Sequence, residues 1–250
     1  MLKLLEAGAE KSSRIEANGE TALLLACRWG RVNAARLLLN AGANTDTRNK
    51  RGQGVFHLAC ENEHVNVVRL LRSKKCDASG QDCRGYTALM IASEKGNVSV
   101  LDNLLRCKTC YKSRDAVSDK GNTAMHLASR MGRAETVKTL IKANASVQIR
   151  NRFGNTPLTI ACQHGHADAV RALLHGGAQS RRKITIGGIH ERTAVTVAAS
   201  HGQKEVLRVL LSENIKADKK PSTEVPYYLL PEKKPWNKQE PWKDGNRIAW

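Results

Sequence analysis

Aromatic residues are scarce, at 4% of the 250 residues. A compact single core usually relies on the large area that Phe and Tyr rings bury. This chain is therefore expected to close its interior with smaller aliphatic groups on closely packed short helices. Long apolar runs are missing as well: no stretch of eighteen apolar residues exists, so no membrane-spanning helix is expected. The opening residues, MLKLLEAGAEKSS, lack the apolar segment and small-residue cleavage site of a secretory signal. Glu6 and Glu10 argue against an intact transit peptide. Proline is nearly absent from the first 220 residues, since five of the six lie beyond them. Acidic residues are too few to balance the basic ones, with Asp+Glu 23 against Lys+Arg 41 and a formal net charge of +18. The imbalance is uneven: residues 101–200 hold 16 basic and 6 acidic groups, whereas residues 201–250 hold 10 and 7. A field this one-signed favours an acidic partner, whether nucleic acid, anionic lipid or an acidic protein surface. It exceeds the charge of about 2–8 that keeps a small domain soluble. No phosphate loop, Ser-His-Asp set, paired-carboxylate motif or groove-reading motif appears, so neither catalysis, a small-molecule substrate, a cofactor nor base-specific reading is expected.

What the chain does contain is a repeat. NGETALLLACRWGRVNAARLLLNAGANTDTRNK occupies 18–50, and the frame returns thirty-three residues later as RGQGVFHLACENEHVNVVRLL. Four further copies follow: RGYTALMIASEKGNVSVLDNLL, KGNTAMHLASRMGRAETVKTLI, FGNTPLTIACQHGHADAVRALL and ERTAVTVAASHGQKEVLRVLL. Thr21, Thr87, Thr123, Thr156 and Thr193 mark the register, with steps of 66, 36, 33 and 37. Insertions are therefore placed around Cys110–Arg114 and Ile184–His190. A period of this size means stacked units that each leave an apolar face for the next to cover. Threonine is expected to cap a first helix, and Pro157 suits a first helical position. Ala26, Ala59, Ala92, Ala128, Ala161 and Ala198 are small enough to let neighbouring helices approach. The glycine nine residues after each threonine marks that helix's end. Pairs such as Leu37-Leu38 and Leu173-Leu174 bury a second helix. The second copy departs most, with Gly54 in place of threonine and Glu63 in place of glycine, and is expected to be looser.

The recurring T-x-L-H, L-A, x-x-G and L-L pattern, clearest in Thr156-Pro157-Leu158 and Thr123-Ala124-Met125-His126, resembles the ankyrin repeat. The resemblance implies an all-α ankyrin-repeat solenoid of stacked helix pairs, with an extended C-terminal tail. The array is placed at 1–214, as a partial repeat 1–17 and repeats near 18–50, 51–83, 84–119, 120–152, 153–189 and 190–214. The tail is placed at 215–250. Because the chain starts in mid-repeat, either a longer protein or a partner is expected to cover the open face. The resemblance also implies that His57 and His126 bond backbone between repeats, and that turn tips and first-helix ends form the binding face. The tips are rich in cations, Arg48, Lys50, Arg51, Arg84, Lys120, Arg150, Arg152, Arg181, Arg182 and Lys183, and the first-helix residues expected to point the same way are Arg28, Trp29, Lys95, Arg130 and His164. A row of Arg side chains can grip phosphates or carboxylates bidentately.

Seven scattered cysteines and no secretion signal suggest reduced thiols inside a cell. Cys27, Cys60 and Cys162 fill the small position after the L-A or I-A pair. Cys107 and Cys110 have the spacing of half a zinc site, to which Cys76 and Cys83 could add ligands. Loop thiols are the preferred reading, with no metal. The tail has no helix or strand period and in isolation is expected to be disordered. Tyr227, Tyr228, Leu229, Leu230, Trp236, Trp242 and Trp250 nevertheless resemble binding anchors. They are read as a strap across partner subunits, the alternative being a cap on the array's own end. These features point to a non-catalytic scaffold: a peripheral subunit of a large assembly with acidic surfaces, a ribonucleoprotein such as an organellar ribosome. Its partners would be other protein subunits and the RNA phosphate backbone. A mitochondrion or plastid is the expected site, with the cytoplasm as alternative. Two other roles stay open, an accessory subunit of a respiratory or photosynthetic membrane complex and a soluble regulatory adaptor for an acidic partner.

Overall fold

The computed structural model describes Arg14 and residues 17–178, 184–186 and 190–217. Most of the partial repeat, the cations Arg181, Arg182 and Lys183, and the tail anchors Tyr227, Tyr228, Leu230, Trp236, Trp242 and Trp250 lie outside the described residues.

Short helices come in antiparallel pairs. They are α1 Ala22–Arg28 with α2 Val32–Asn40, α3 Val55–Glu61 with α4 Val65–Ser73, and α5 Ala88–Lys95 with α6 Val98–Leu105. After a short α7, Lys108–Lys112, follow α8 Ala124–Arg130 with α9 Ala134–Lys142 and α10 Pro157–Gln163 with α11 Ala167–His175. The strands β1 Ile184–Ile186 and β2 His190–Arg192 precede α12 Ala194–Ser200 and α13 Lys204–Ala217. First helices pack on first helices, second helices on second helices, and the two rows share one continuous core. This is the helical solenoid expected from the repeat.

The threonines act as read. Thr21, Thr87, Thr123, Thr156 and Thr193 each accept a bond from the backbone N–H three residues on, at 3.2–3.4 Å. Each satisfies a donor that the helix start leaves without an intrahelical partner. The alanines at the tight crossings are sealed: Ala59, Ala92, Ala128, Ala161 and Ala198 are fully buried, and Ala26 nearly so. Cys27, Cys60 and Cys162 are also fully buried, as small apolar groups. In each leucine pair one member, Leu38 or Leu173, enters the core while its neighbour is partly covered.

Three local features add to the sequence reading. The insertion at Ile184–His190 is a hairpin: β1 and β2 pair antiparallel, with Thr185 opposite Glu191. Gly187-Gly188 between β-branched residues is a hairpin signal that a search for helical period passes over. The insertion near Cys110 forms α7, whose Cys110 side chain is buried. The second repeat keeps both its helices. His57 Nδ1 accepts the Gly54 N–H at 3.3 Å, the same ring-to-backbone bond that His126 makes to Thr123, while the threonine cap itself has no counterpart here. Glu63 takes the left-handed conformation of the absent glycine, at φ 60.

Candidate interaction surface

The loops between successive helix pairs are fixed by one buried side chain each. Asn49 Oδ1 accepts the N–H of Arg51 and of Gln53, both at 2.9 Å. Asp82 Oδ1 does the same for Arg84 and Tyr86, again at 2.9 Å. Ser118 Oγ accepts from Asn122 at 3.2 Å, and Asn151 Oδ1 from Phe153 and Asn155 at 3.0 Å. All four side chains are buried. These tip-closing residues were missed by a reading centred on the helices. Extending the self-alignment into the loops would have found them, since they recur in the same frame.

Neighbouring tips are then joined by backbone. The N–H groups of Lys50, Cys83, Asp119 and Arg152 donate to the carbonyls of Asn18, Arg51, Arg84 and Lys120, at 3.0–3.1 Å. Close approach demands glycine next to this ladder. A Cβ on Gly121, at φ 73, would stand 2.7 Å from the Arg152 nitrogen. The ladder sets Lys50, Arg51, Arg84, Lys120 and Arg152 in one row, all exposed. Asp119 is the acidic exception at the equivalent positions among the described residues.

Not all of the cations are equally available. Arg28 pairs with Glu20, which is wholly buried. Arg48 Nη1 donates to the carbonyls of Gly52 and Gln81, both at 3.0 Å, and so braces two adjacent loops. Arg84 reaches Asp82 Oδ2 through Nε and Nη2 at 3.2 and 3.0 Å and lies 4.4 Å from the Tyr86 ring centre. Arg130 Nη2 reaches Glu94 Oε1 of the preceding repeat at 2.5 Å. Arg150 Nη1 donates to the Gly154 carbonyl at 3.5 Å. By contrast Arg51, Lys95, Lys120 and Arg152 are exposed and engage no side-chain partner among the described residues. Trp29, Lys95 and His164 occupy equivalent exposed positions at the ends of their first helices, and Trp29 is 65% exposed. His164 stacks on His166 with ring centres 6.2 Å apart, and partial burial together with the His166 charge lowers its pKa.

Four histidines bridge neighbouring repeats. His57 Nε2 meets the Tyr86 carbonyl at 2.8 Å and His126 Nε2 the Asn155 carbonyl at 3.1 Å, each in the next repeat. Since the Nδ1 atoms accept backbone N–H bonds from Gly54 and Thr123, the ring proton belongs on Nε2. Burial keeps both rings neutral, lowering the His57 pKa and bringing that of His126 down to about 4. His64 and His166 point the other way, to the carbonyls of Arg28 and Arg130 at 2.9 and 3.0 Å.

Cys76, Cys83, Cys107 and Cys110 form no ligand cluster, and no group of three potential metal ligands gathers among the described residues. Cys110 instead donates to the Ala78 carbonyl at 3.5 Å, Cys107 lies 3.2 Å from Thr109 Oγ1, and Cys83 is exposed on a tip. Burial also pushes the Cys76 and Cys110 thiols upward. No helix among the described residues is long and apolar enough to cross a membrane.

A family model described as "Ankyrin repeats (3 copies)" matches residues 1–82, 56–151 and 145–222. Among characterised proteins, the chain is similar to protein phosphatase 1 regulatory subunit 27 of Mus musculus, 41% identical over 59 residues. That match covers 24% of this chain and 38% of the relative. Mouse synphilin-1 is 39% identical over 54 residues, covering 22% of this chain and 6% of the relative. A probable E3 ubiquitin-protein ligase of Oryza sativa subsp. japonica is 38% identical over 50 residues, covering 20% of this chain and 10% of the relative. The matches thus span well under half the length of these relatives.

Proposed function

Because the chain belongs to the ankyrin-repeat family, whose members are generally non-catalytic protein-interaction modules, we propose that it is a scaffold gripping an acidic partner along the row of turn tips. The observation that carries this reading is the uncommitted set Arg51, Lys120 and Arg152, held in register by the backbone ladder. The ladder fixes the backbone from which these cations project, so that binding orders their side chains alone. The context proposed is a peripheral place in a large assembly with acidic surfaces, a ribonucleoprotein such as an organellar ribosome, with the basic row meeting RNA phosphate or acidic protein. The tail beyond the described residues would strap the subunit down.

A second reading draws on the relatives. One is by name a regulatory subunit of a phosphatase, which favours a soluble adaptor holding one acidic partner. Capture of tagged full-length chain from its native cell, with and without RNase, separates the two. A ribonucleoprotein role predicts many co-purifying proteins that fall away with RNase. A soluble one-to-one complex untouched by RNase would contradict that role and leave the adaptor.

A further inference from the structure

The second helices carry one register position outward along the array: Arg36, Arg69, Asp102, Lys138, Arg171 and Arg208. In the last three repeats this cation is neutralised by an acid three residues earlier. Lys138 Nζ meets Glu135 Oε1 at 2.7 Å, Arg171 Nη1 meets Asp168 Oδ1 at 2.8 Å, and Arg208 pairs with Glu205. In the first two repeats the residues at that distance are Asn33 and Asn66. An amide brings no charge, and the Arg36 and Arg69 guanidiniums engage no partner among the described residues. Both line a groove of about 690 Å³ between α2 and α4, with Lys74 at its edge and Val32 and Leu70 on its walls. No carboxylate lines the groove. Lys74 Nζ donates to Asn40 Oδ1 at 2.7 Å.

We propose that this groove docks a short acidic segment of a partner protein, with its carboxylates on Arg36 and Arg69. The face is separate from the turn tips, so it offers a second contact beyond the function proposed above. A guanidinium without an internal partner can take a carboxylate bidentately. The apolar walls suit the methylene stems of Glu side chains. A nucleic-acid backbone fits less well, because its affinity builds up over many phosphate contacts along the strand. Here the positive run ends after two repeats, where Asp102 takes the position, and the cations beyond Asp102 are already neutralised.

The test is fluorescence anisotropy on the full chain with a labelled oligoglutamate peptide and, separately, a labelled oligouridylate. It is made in a background carrying Arg51→Gln, Lys120→Gln and Arg152→Gln, so that a failure of the turn-tip reading does not obscure it. The peptide is expected to bind, with affinity falling about tenfold or more on Arg36→Gln with Arg69→Gln. Arg171→Gln with Arg208→Gln should leave it unchanged. Asn33→Glu with Asn66→Glu installs the pairing the later repeats already use and should lower affinity to the same extent without lowering the melting temperature. Equal losses from both arginine pairs, or no loss from the asparagine variants, would overturn the proposal. So would oligouridylate binding that is tighter than the peptide's and depends on Arg36 and Arg69.

Discussion

Two arginines at the same repeat position, Arg51 and Arg84, differ because of one atom two residues earlier. Asp82 closes its loop with Oδ1 and has Oδ2 left to hold Arg84. Asn49 closes its loop with the same oxygen, but its Nδ2 donates to Gln53 and Glu20 and offers Arg51 nothing. Aspartate at the closing position thus makes the cation a brace, and asparagine leaves it outward. The difference was present in the sequence, but residue type at the cation itself does not reveal it. Glu63 shows a similar local effect. A side chain held at φ 60 is disfavoured by contact of its Cβ with the backbone. Its exposed carboxylate makes only a 3.5 Å contact with Asn97. Glu63→Gly is therefore expected to raise stability by about 1 kcal/mol, read as a higher urea midpoint. An unchanged or lower midpoint would show that the Asn97 contact outweighs the strain.

At the scale of helices and loops, the helix starts and the places of the insertions were legible, and the structure of the insertions was not. Thr21, Thr87, Thr123, Thr156 and Thr193 fixed the helix starts because a cap needs a short side chain with an acceptor oxygen at one defined position. The hairpin at 184–192 and the helix Lys108–Lys112 escaped, since a single occurrence has no period to betray it. The bridge from His126 to the next repeat was implied by the family resemblance, and its consequence is a pH dependence between elements. An unfolded His126 takes up its proton near 6.5, whereas burial delays this in the fold to about 4. Between those values the unfolded chain binds the extra proton, so stability is fully present above 6.5 and is lost as pH falls towards 4. Burial shifts His57 in the same direction. Urea midpoints of the wild type are expected to fall between about pH 7.5 and about pH 5, and His126→Gln should flatten part of that fall. A midpoint that does not move across this window, or one that moves equally in the variant, would contradict the assignment.

For the molecule as a whole, the solenoid turns a sequence period into a spatial row. Each repeat contacts its neighbours alone, so a residue type favoured at one position is displayed along the array. The net charge of +18 was readable from composition. Its division was not, because pairing is a property of three-dimensional neighbours: Arg28 and Arg130 lie in ion pairs, whereas Arg51, Lys120 and Arg152 face outward. The most direct measurement compares partner recovery by the full-length wild type and by the Arg51→Gln/Lys120→Gln/Arg152→Gln variant in the native cell, with melting temperatures taken alongside. The account predicts recovery reduced by about tenfold or more at an unchanged melting temperature, since three uncommitted charges are lost and no brace is touched. Full recovery by the variant would contradict the claim that the turn-tip row holds the partner.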